Sequence, residues 1–426
     1  MSRFVSRFVS RFPIRCTGHP VRAFLTRALV AALTWATASA SIAAQPWSFD
    51  EPPIEVIGAS AGVFHRMSSA GRRSLAVSRG TLAVVWDDEH AGTPRAYLAL
   101  KDPNTAVFDS AIQISGDGEA FEPAVAALPD GRFAVAWEED GRILVRLATP
   151  EGLGPPVELS PEGAQASLDG TDGVLVAVWS DRQTGVGHIL TATLGRDGPL
   201  GLKVDTRCPA DTAAPVADQL FPTAAQVGER LVVAWEYRRP GHTIIMATTS
   251  APGQPCRFAP PARISEDPPG PEMPYGAGHG VARVAIAPYG DDRLLAAWED
   301  KRNFRHGYDV YAAHLGPNGF GPNERVQDDF GELSAQWHVS AAGHPDGTVV
   351  VAWTDEREGQ GDILLSRYAD GTWSEDLQLP GASGPQEQGH PSIALDDAGN
   401  LHAAWVTRET KGGPTRIQYR FGRHAN

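Results

Sequence analysis

Apolar positions along the chain fall into short blocks, and seven of these blocks end in tryptophan. They are LAVVW at Trp86, FAVAW at Trp137, LVAVW at Trp179, LVVAW at Trp235, LLAAW at Trp298, VVVAW at Trp353 and LHAAW at Trp405. An unbroken apolar run this short, bounded by turn residues, predicts a strand buried on both faces. A charged turn follows most of them, and then apolar and polar positions alternate, as in ILVRLAT, HILTATL, TIIMATT, DVYAAHL, DILLSRY and RIQYRF. That alternation predicts a half-buried partner strand. Ahead of most blocks lies a shorter apolar segment with a turn, such as PAVAALPDG at 123–131, HVSAAGHPDG at 338–347 and SIALDDAGN at 392–400. A further strand closes most units: AIQIS at 111–115, PVELS at 156–160, ARIS at 262–265 and LQLP at 377–380. Each unit reads as a four-stranded antiparallel meander.

The tryptophans are 51, 42, 56, 63, 55 and 52 residues apart, a period in the range of propeller blades. The last unit runs out after its third strand, at Phe421. Residues 53–58 (PIEVIG) resemble the closing strands of the other units, and pairing them with the chain's end would close the ring and remove two open edges. The expectation is an all-β, seven-bladed β-propeller of four-stranded antiparallel blades, its last blade completed by the N-terminal strand. Six blades with an appendage is the alternative. Length alone, 426 residues, would suggest two or three domains. A propeller avoids that division because each blade buries its faces on its neighbours.

Residues 1–44 carry six arginines and no acid, followed by an apolar, Ser- and Thr-containing run that ends in small residues. This is the pattern of a secretory signal peptide, too short and too polar for a good membrane span. The expected mature domain is therefore 45–426, periplasmic or secreted. Without the leader, 31 basic residues face 51 acidic ones. A balance near −20 argues against nucleic acid and against anionic membrane surfaces as partners. Two cysteines remain, Cys208 and Cys256, and an oxidising destination makes a disulfide between them the expectation.

Loops that join successive blades emerge on one face of a propeller, at the mouth of its central channel. Counting back from each tryptophan, the innermost strands start at Arg73, Glu122, Gln165, Phe221, Arg283, His338 and His390. Polar residues at so inner a position predict a ligand site, because burial without partners is costly. Arg73 and Arg283 are the candidates to hold an anionic group, since a guanidinium can bond both oxygens of a carboxylate. The alternative is that these residues only solvate the pore. Blade 5 has long loops at 266–280 and 299–308, which would bring Tyr275, His279, Arg302, His306 and Tyr308 toward Arg283. The acid–base pairs that recur after the tryptophans, such as Asp355 with Arg357, read as scaffold ion pairs. No HxH, HExxH or GxxxxGK[ST] pattern occurs, so neither a metal nor a cofactor is expected, and neither remaining cysteine looks catalytic.

The unit W-x-D-x-R-x-G-x-x-D-I, clearest at 353–364 (WTDEREGQGDIL) and present at 298–310, resembles the repeats of bacterial exported proteins of the sialidase-like (BNR/Asp-box) propeller superfamily. Phe64-His65-Arg66-Met67 followed by Gly80-Thr81-Leu82 is similar to that family's opening arginine motif and first strand, without its proline. Asp370-Gly371-Thr372-Trp373 looks like an Asp box with the serine displaced. The family's third arginine and its Tyr–Glu pair match no motif in this chain, and true sialidases have six blades. The resemblance implies a propeller and a carbohydrate ligand; fold kinship alone does not carry an activity over. The leading expectation is non-catalytic binding of an acidic glycan or an exported protein partner at the mouth. A glycosidase or polysaccharide lyase acting on an acidic sugar is the alternative, and a purely structural scaffold is a third.

Overall fold

The computed structural model describes residues 46–425, apart from 69–70, 171–173, 213–214, 239–241, 267–279, 303–306 and 332. The leader assigned to 1–44 lies outside the described residues. Seven antiparallel sheets follow one another around a ring. Their innermost strands are Leu75–Ser78, Ala120–Ala127, Gly163–Asp169, Gln219–Val227, Val281–Tyr289, Gln336–Gly343 and Glu387–Leu395, numbered here as blades 1 to 7. The second strand of each blade is the tryptophan block, for example Val349–Asp355 in blade 6, which pairs outward with Asp362–Ala369 and then Leu377–Gln378. Among the described residues, no helix is long and apolar enough to cross a membrane.

The ring closes as the sequence predicts. Ile54–Ile57 pairs antiparallel with the last strand, Thr415–His424, in the register Ile54 opposite Tyr419 and Ile57 opposite Ile417. Trp47 and Ser48 extend the same edge against His424 and Arg423.

Each tryptophan is buried at the seam with the preceding blade. Trp298, for instance, packs among Ala225, Val232 and Ile245 of blade 4, and Trp353 among Leu295, Ala297 and Val310 of blade 5. The ring nitrogen still needs a partner there. In five blades the acceptor is the acid two residues on: Trp86 to Asp88 (2.8 Å), Trp137 to Glu139 (2.8 Å), Trp179 to Asp181 (3.2 Å), Trp298 to Asp300 (2.9 Å) and Trp353 to Asp355 (2.9 Å). Blades 4 and 7 have Tyr237 and Thr407 at that place, and an inner-strand glutamine, Gln219 or Gln388, accepts instead. The W-x-D pattern is thus first a cap on the tryptophan. Its arginine is secondary: Arg357 bonds Asp355 within the same turn and reaches Asp376 and Asp328.

Cys208 and Cys256 form a disulfide with a Cα–Cα distance of 5.6 Å. Cys208 lies on the outer strand of blade 3, Leu202–Pro209, and Cys256 on Gln254–Phe258 at the edge of blade 4. The bond therefore clips two neighbouring outer edges together.

Candidate functional site

In five blades the residue directly after the tryptophan builds the mouth. Strand alternation turns it away from the indole and toward the next blade. In four blades it is an acid, Asp87, Glu236 and Glu299 buried and Glu138 half-buried. Each accepts the backbone N–H of the inner-strand residue of the following blade: Asp87 from Glu122 (3.1 Å), Glu138 from Gln165 (2.5 Å), Glu236 from Arg283 (2.8 Å) and Glu299 from His338 (2.7 Å). Thr354 does the same for His390 (3.2 Å), and the Gln165 side chain serves Phe221 (2.8 Å).

These six receiving residues share one backbone feature. Glu122, Gln165, Phe221, Arg283, His338 and His390 all have positive φ, between 49° and 62°, and each sits where the pairing with the tryptophan strand slips, as between Trp337 and Ser340. A non-glycine residue in this region is unfavourable. The slip is a β-bulge, and the carboxylate or amide clamp on its N–H offsets part of the cost while re-aiming the side chain.

Blade 1 departs from this pattern, and the departure relocates one candidate. Ser74 bonds Val85 (2.9 Å), the residue before Trp86, so by register the mouth position is Arg72 and not Arg73. The segment ahead of that strand crosses the channel: Gly71, at φ +71°, lies so close to Thr223 of blade 4 that a Cβ on it would be 2.5 Å from the threonine Cβ. Arg72 then faces the mouth, while Arg73 faces the opposite opening and pairs with Asp169 (3.3 Å). Counting residues missed this because in blade 1 the pairing leaves off at Arg66, which bridges Asp87, and resumes only at Ser74, a longer excursion than the bulge of the other blades.

The mouth is a cavity of about 840 Å³ into which Arg72, Glu122, Gln165, Arg283, His338 and His390 converge, within the size range of small-ligand pockets. Glu138, Glu299 and Asp87 also line it, with Arg66, Arg182 and Trp337. Arg283 stacks on the Phe221 ring at 3.4 Å, and Arg72 lies over the same ring at 5.3 Å. Arg72 Nη1 is 3.1 Å from Glu122 and Arg283 Nη1 is 3.9 Å from Glu236, yet among the described residues neither nitrogen makes a hydrogen bond, nor does Arg72 Nε. His338 and His390 stack at 3.7 Å.

Burial sets the protonation of this site. It raises Glu299 to about 7, and Glu138 to about 7 with the help of neighbouring Glu122. Asp87 rises to about 6, because burial outweighs Arg66. Burial also lowers His390 to about 4 and His338 well below the usual histidine value, so both imidazoles are neutral at pH 7. Positive charge at the mouth therefore belongs to the arginines. Arg302 is not part of this cavity: it bonds Asp300 (2.7 Å) and lies over Tyr311 at 3.8 Å. Tyr308 stacks on Trp337 at 4.8 Å, while Tyr275, His279 and His306 fall outside the described residues. Sequence reasoning passed over Arg72, Asp87 and Glu138 and took Glu299 only as the start of the 299–308 loop. The available signal was the acid immediately after tryptophan in four repeats.

No protein-family model matches the chain, and no curated protein matches it. Solved structures do. A protein of unknown function from Dyadobacter fermentans superposes with a TM-score of 0.50 at 11% identity, over 89% of this chain and 100% of that one. The β-propeller domain of the trilobed protease from Pyrococcus furiosus, described as having an open velcro topology, gives 0.50 at 11% identity, over 85% of this chain and 97% of that one. An α-L-arabinanase from Penicillium chrysogenum gives 0.44 at 13% identity, over 70% of this chain and 92% of that one. Likeness at this identity shows the fold, and the fold is a β-propeller.

Proposed function

We propose that this is an exported, sialidase-like propeller that binds an acidic glycan at its mouth, the sugar carboxylate lying between Arg72 and Arg283 beside Phe221. The observation that carries the reading is a pair of guanidiniums, Arg72 buried and Arg283 half-buried, whose nitrogens Arg72 Nε and Nη1 and Arg283 Nη1 have no hydrogen-bond partner among the described residues. Buried donors left unpaired are costly, and a carboxylate supplies oxygens in the geometry a guanidinium matches. Gln165, Glu122 and the neutral imidazoles offer donors and acceptors to ring hydroxyls. The disulfide favours an oxidising compartment, in keeping with the leader-like N-terminus.

A second reading, an enzyme acting on an acidic sugar, is favoured by Glu138 and Glu299. They stand on blades 2 and 5, and both exchange protons near neutrality. Glycoside hydrolysis uses such a pair, one carboxyl protonated and one ionised.

Calorimetric titration with oligogalacturonate and with an uncharged oligosaccharide of equal length tests the first reading. Binding of the acidic chain alone is expected, with Arg72→Met and Arg283→Met each weakening it at least tenfold and Arg73→Met leaving it unchanged. Binding of neither sugar, or equal loss in Arg73→Met, would sink it. Release of reducing ends from the bound sugar, abolished by Glu138→Gln or Glu299→Gln, would move the protein to the second reading.

A further inference from the structure

The seam where the two ends of the chain meet contains a second cavity, of about 490 Å³, that shares no lining residue with the mouth. Ile54 of the closing strand, Leu82 of blade 1, Phe421 of blade 7 and Pro103 and Ala106 of the connection between the third and outermost strands of blade 1 form apolar walls. Its floor is polar: His402 and Tyr419, with Asp396 beside them.

That floor breaks the pattern of the repeat. At the place of His402, second in the tryptophan block, the other blades carry Ala83, Ala134, Val176, Val232, Leu295 and Val350. Tyr419 stands opposite the residue before tryptophan, where the others have Leu98, Val145, Thr191, Ala247, Ala312 and Leu365. Both are buried, at 5% exposure. Six blades show that this position folds well with a small or apolar side chain. A buried polar chain there is a cost to the fold unless something uses it.

The hydrogen bonds give the chain a direction. Asp396 Oδ2 is 3.3 Å from His402 Nε2, and His402 Nδ1 is 2.7 Å from Tyr419 Oη. Although burial works against it, bonds from His402 and Asn400 hold the Asp396 carboxyl well below the usual carboxylate range, so it can only accept. In the neutral imidazole the proton is then on Nε2, Nδ1 accepts from the phenol, and Tyr419 Oη keeps its lone pairs. Burial also pushes the Tyr419 phenol upward, so it stays neutral. The ring centroids of Phe108 and His402 lie 5.6 Å and 6.0 Å from that of Tyr419, and Phe421 lies 5.3 Å from His402.

We propose that the seam cavity is a binding site for a small phenol-like molecule, its ring packed on Ile54, Leu82 and Phe421 and its hydroxyl donating to Tyr419 Oη. The ligand supplies the one donor that the Asp396–His402–Tyr419 chain lacks, and its ring replaces water against the apolar walls. The site is independent of any glycan bound at the mouth.

The probe pair is 2-naphthol and 2-methoxynaphthalene, which differ in the donor, followed by ligand-observed NMR on the full protein. Naphthol should bind at least fivefold more tightly than its methyl ether. Ala106→Trp, on an exposed wall, should weaken both at least tenfold, and Tyr419→Phe should erase the preference for naphthol. Glycan binding at the mouth should not change in either variant. No naphthol binding at millimolar concentration, equal affinity for the two probes, or an Ala106→Trp variant that binds like the parent would overturn the proposal. Because Ala106 is exposed, that variant reads the site even if Tyr419→Phe fails to fold.

Discussion

At the scale of single residues, the carboxyls behind the tryptophans do two jobs that pull against each other. Glu299 clamps the His338 amide, and burial raises its carboxyl to about 7. Between its ordinary value and about 7 the native state binds more protons than the unfolded chain. The stability it contributes is complete at low pH and is lost as pH rises through about 7. Glutamine keeps an acceptor for the amide and cannot ionise. Glu299→Gln should therefore melt close to the parent at pH 5 and several degrees above it at pH 8, by scanning calorimetry. An unchanged difference between the two pH values would contradict the raised carboxyl. The same carboxyls were overlooked in the sequence because an acid after tryptophan in a strand looks like a solvated position. Only the next blade turns it into an interior one.

At the scale of the strand, the bulge is the device that makes a mouth. Six inner strands reach the channel at a slipped register with positive φ. There the usual preference for alanine over glycine in a strand should invert. His390→Gly is expected to be more stable than His390→Ala by about 1 kcal/mol, measured by chemical denaturation. Alanine as the more stable variant would show that the His390 backbone is not strained. The candidate residues were legible because each lies a nearly constant distance from its tryptophan. Blade 1 escaped, since constancy fails where a longer excursion, between Arg66 and Ser74, replaces the bulge. A sequence carries no sign that Gly71 must fit against Thr223.

At the scale of the whole molecule, two fastenings act on different edges. The Ile54–Ile57 strand closes blade 7 and the ring, while the disulfide ties blade 3 to blade 4 across a separation of 48 residues. A cross-link closing a loop of that length is worth about 4 kcal/mol in the chain-entropy view. Cys208→Ser with Cys256→Ser should lower the melting temperature by several degrees without changing glycan binding, because both sulfurs are remote from the mouth. Equal melting of the oxidised and doubly substituted proteins would show that the blade seams alone fix this edge.

The sequence by itself determined the repeat, the number of blades, the strand that closes the ring and the cysteines available to cross-link. Each follows from local periodicity, which one residue's neighbours along the chain can carry: apolar blocks specify buried strands, and the spacing of tryptophans specifies blades. Tertiary structure alone decided which arginine of Arg72 and Arg73 enters the mouth, which carboxyls hold protons near neutrality and that His402 and Tyr419 meet beneath a cavity. Those outcomes depend on burial and on contacts between blades, where charge, distance and desolvation are set by residues far apart in the chain.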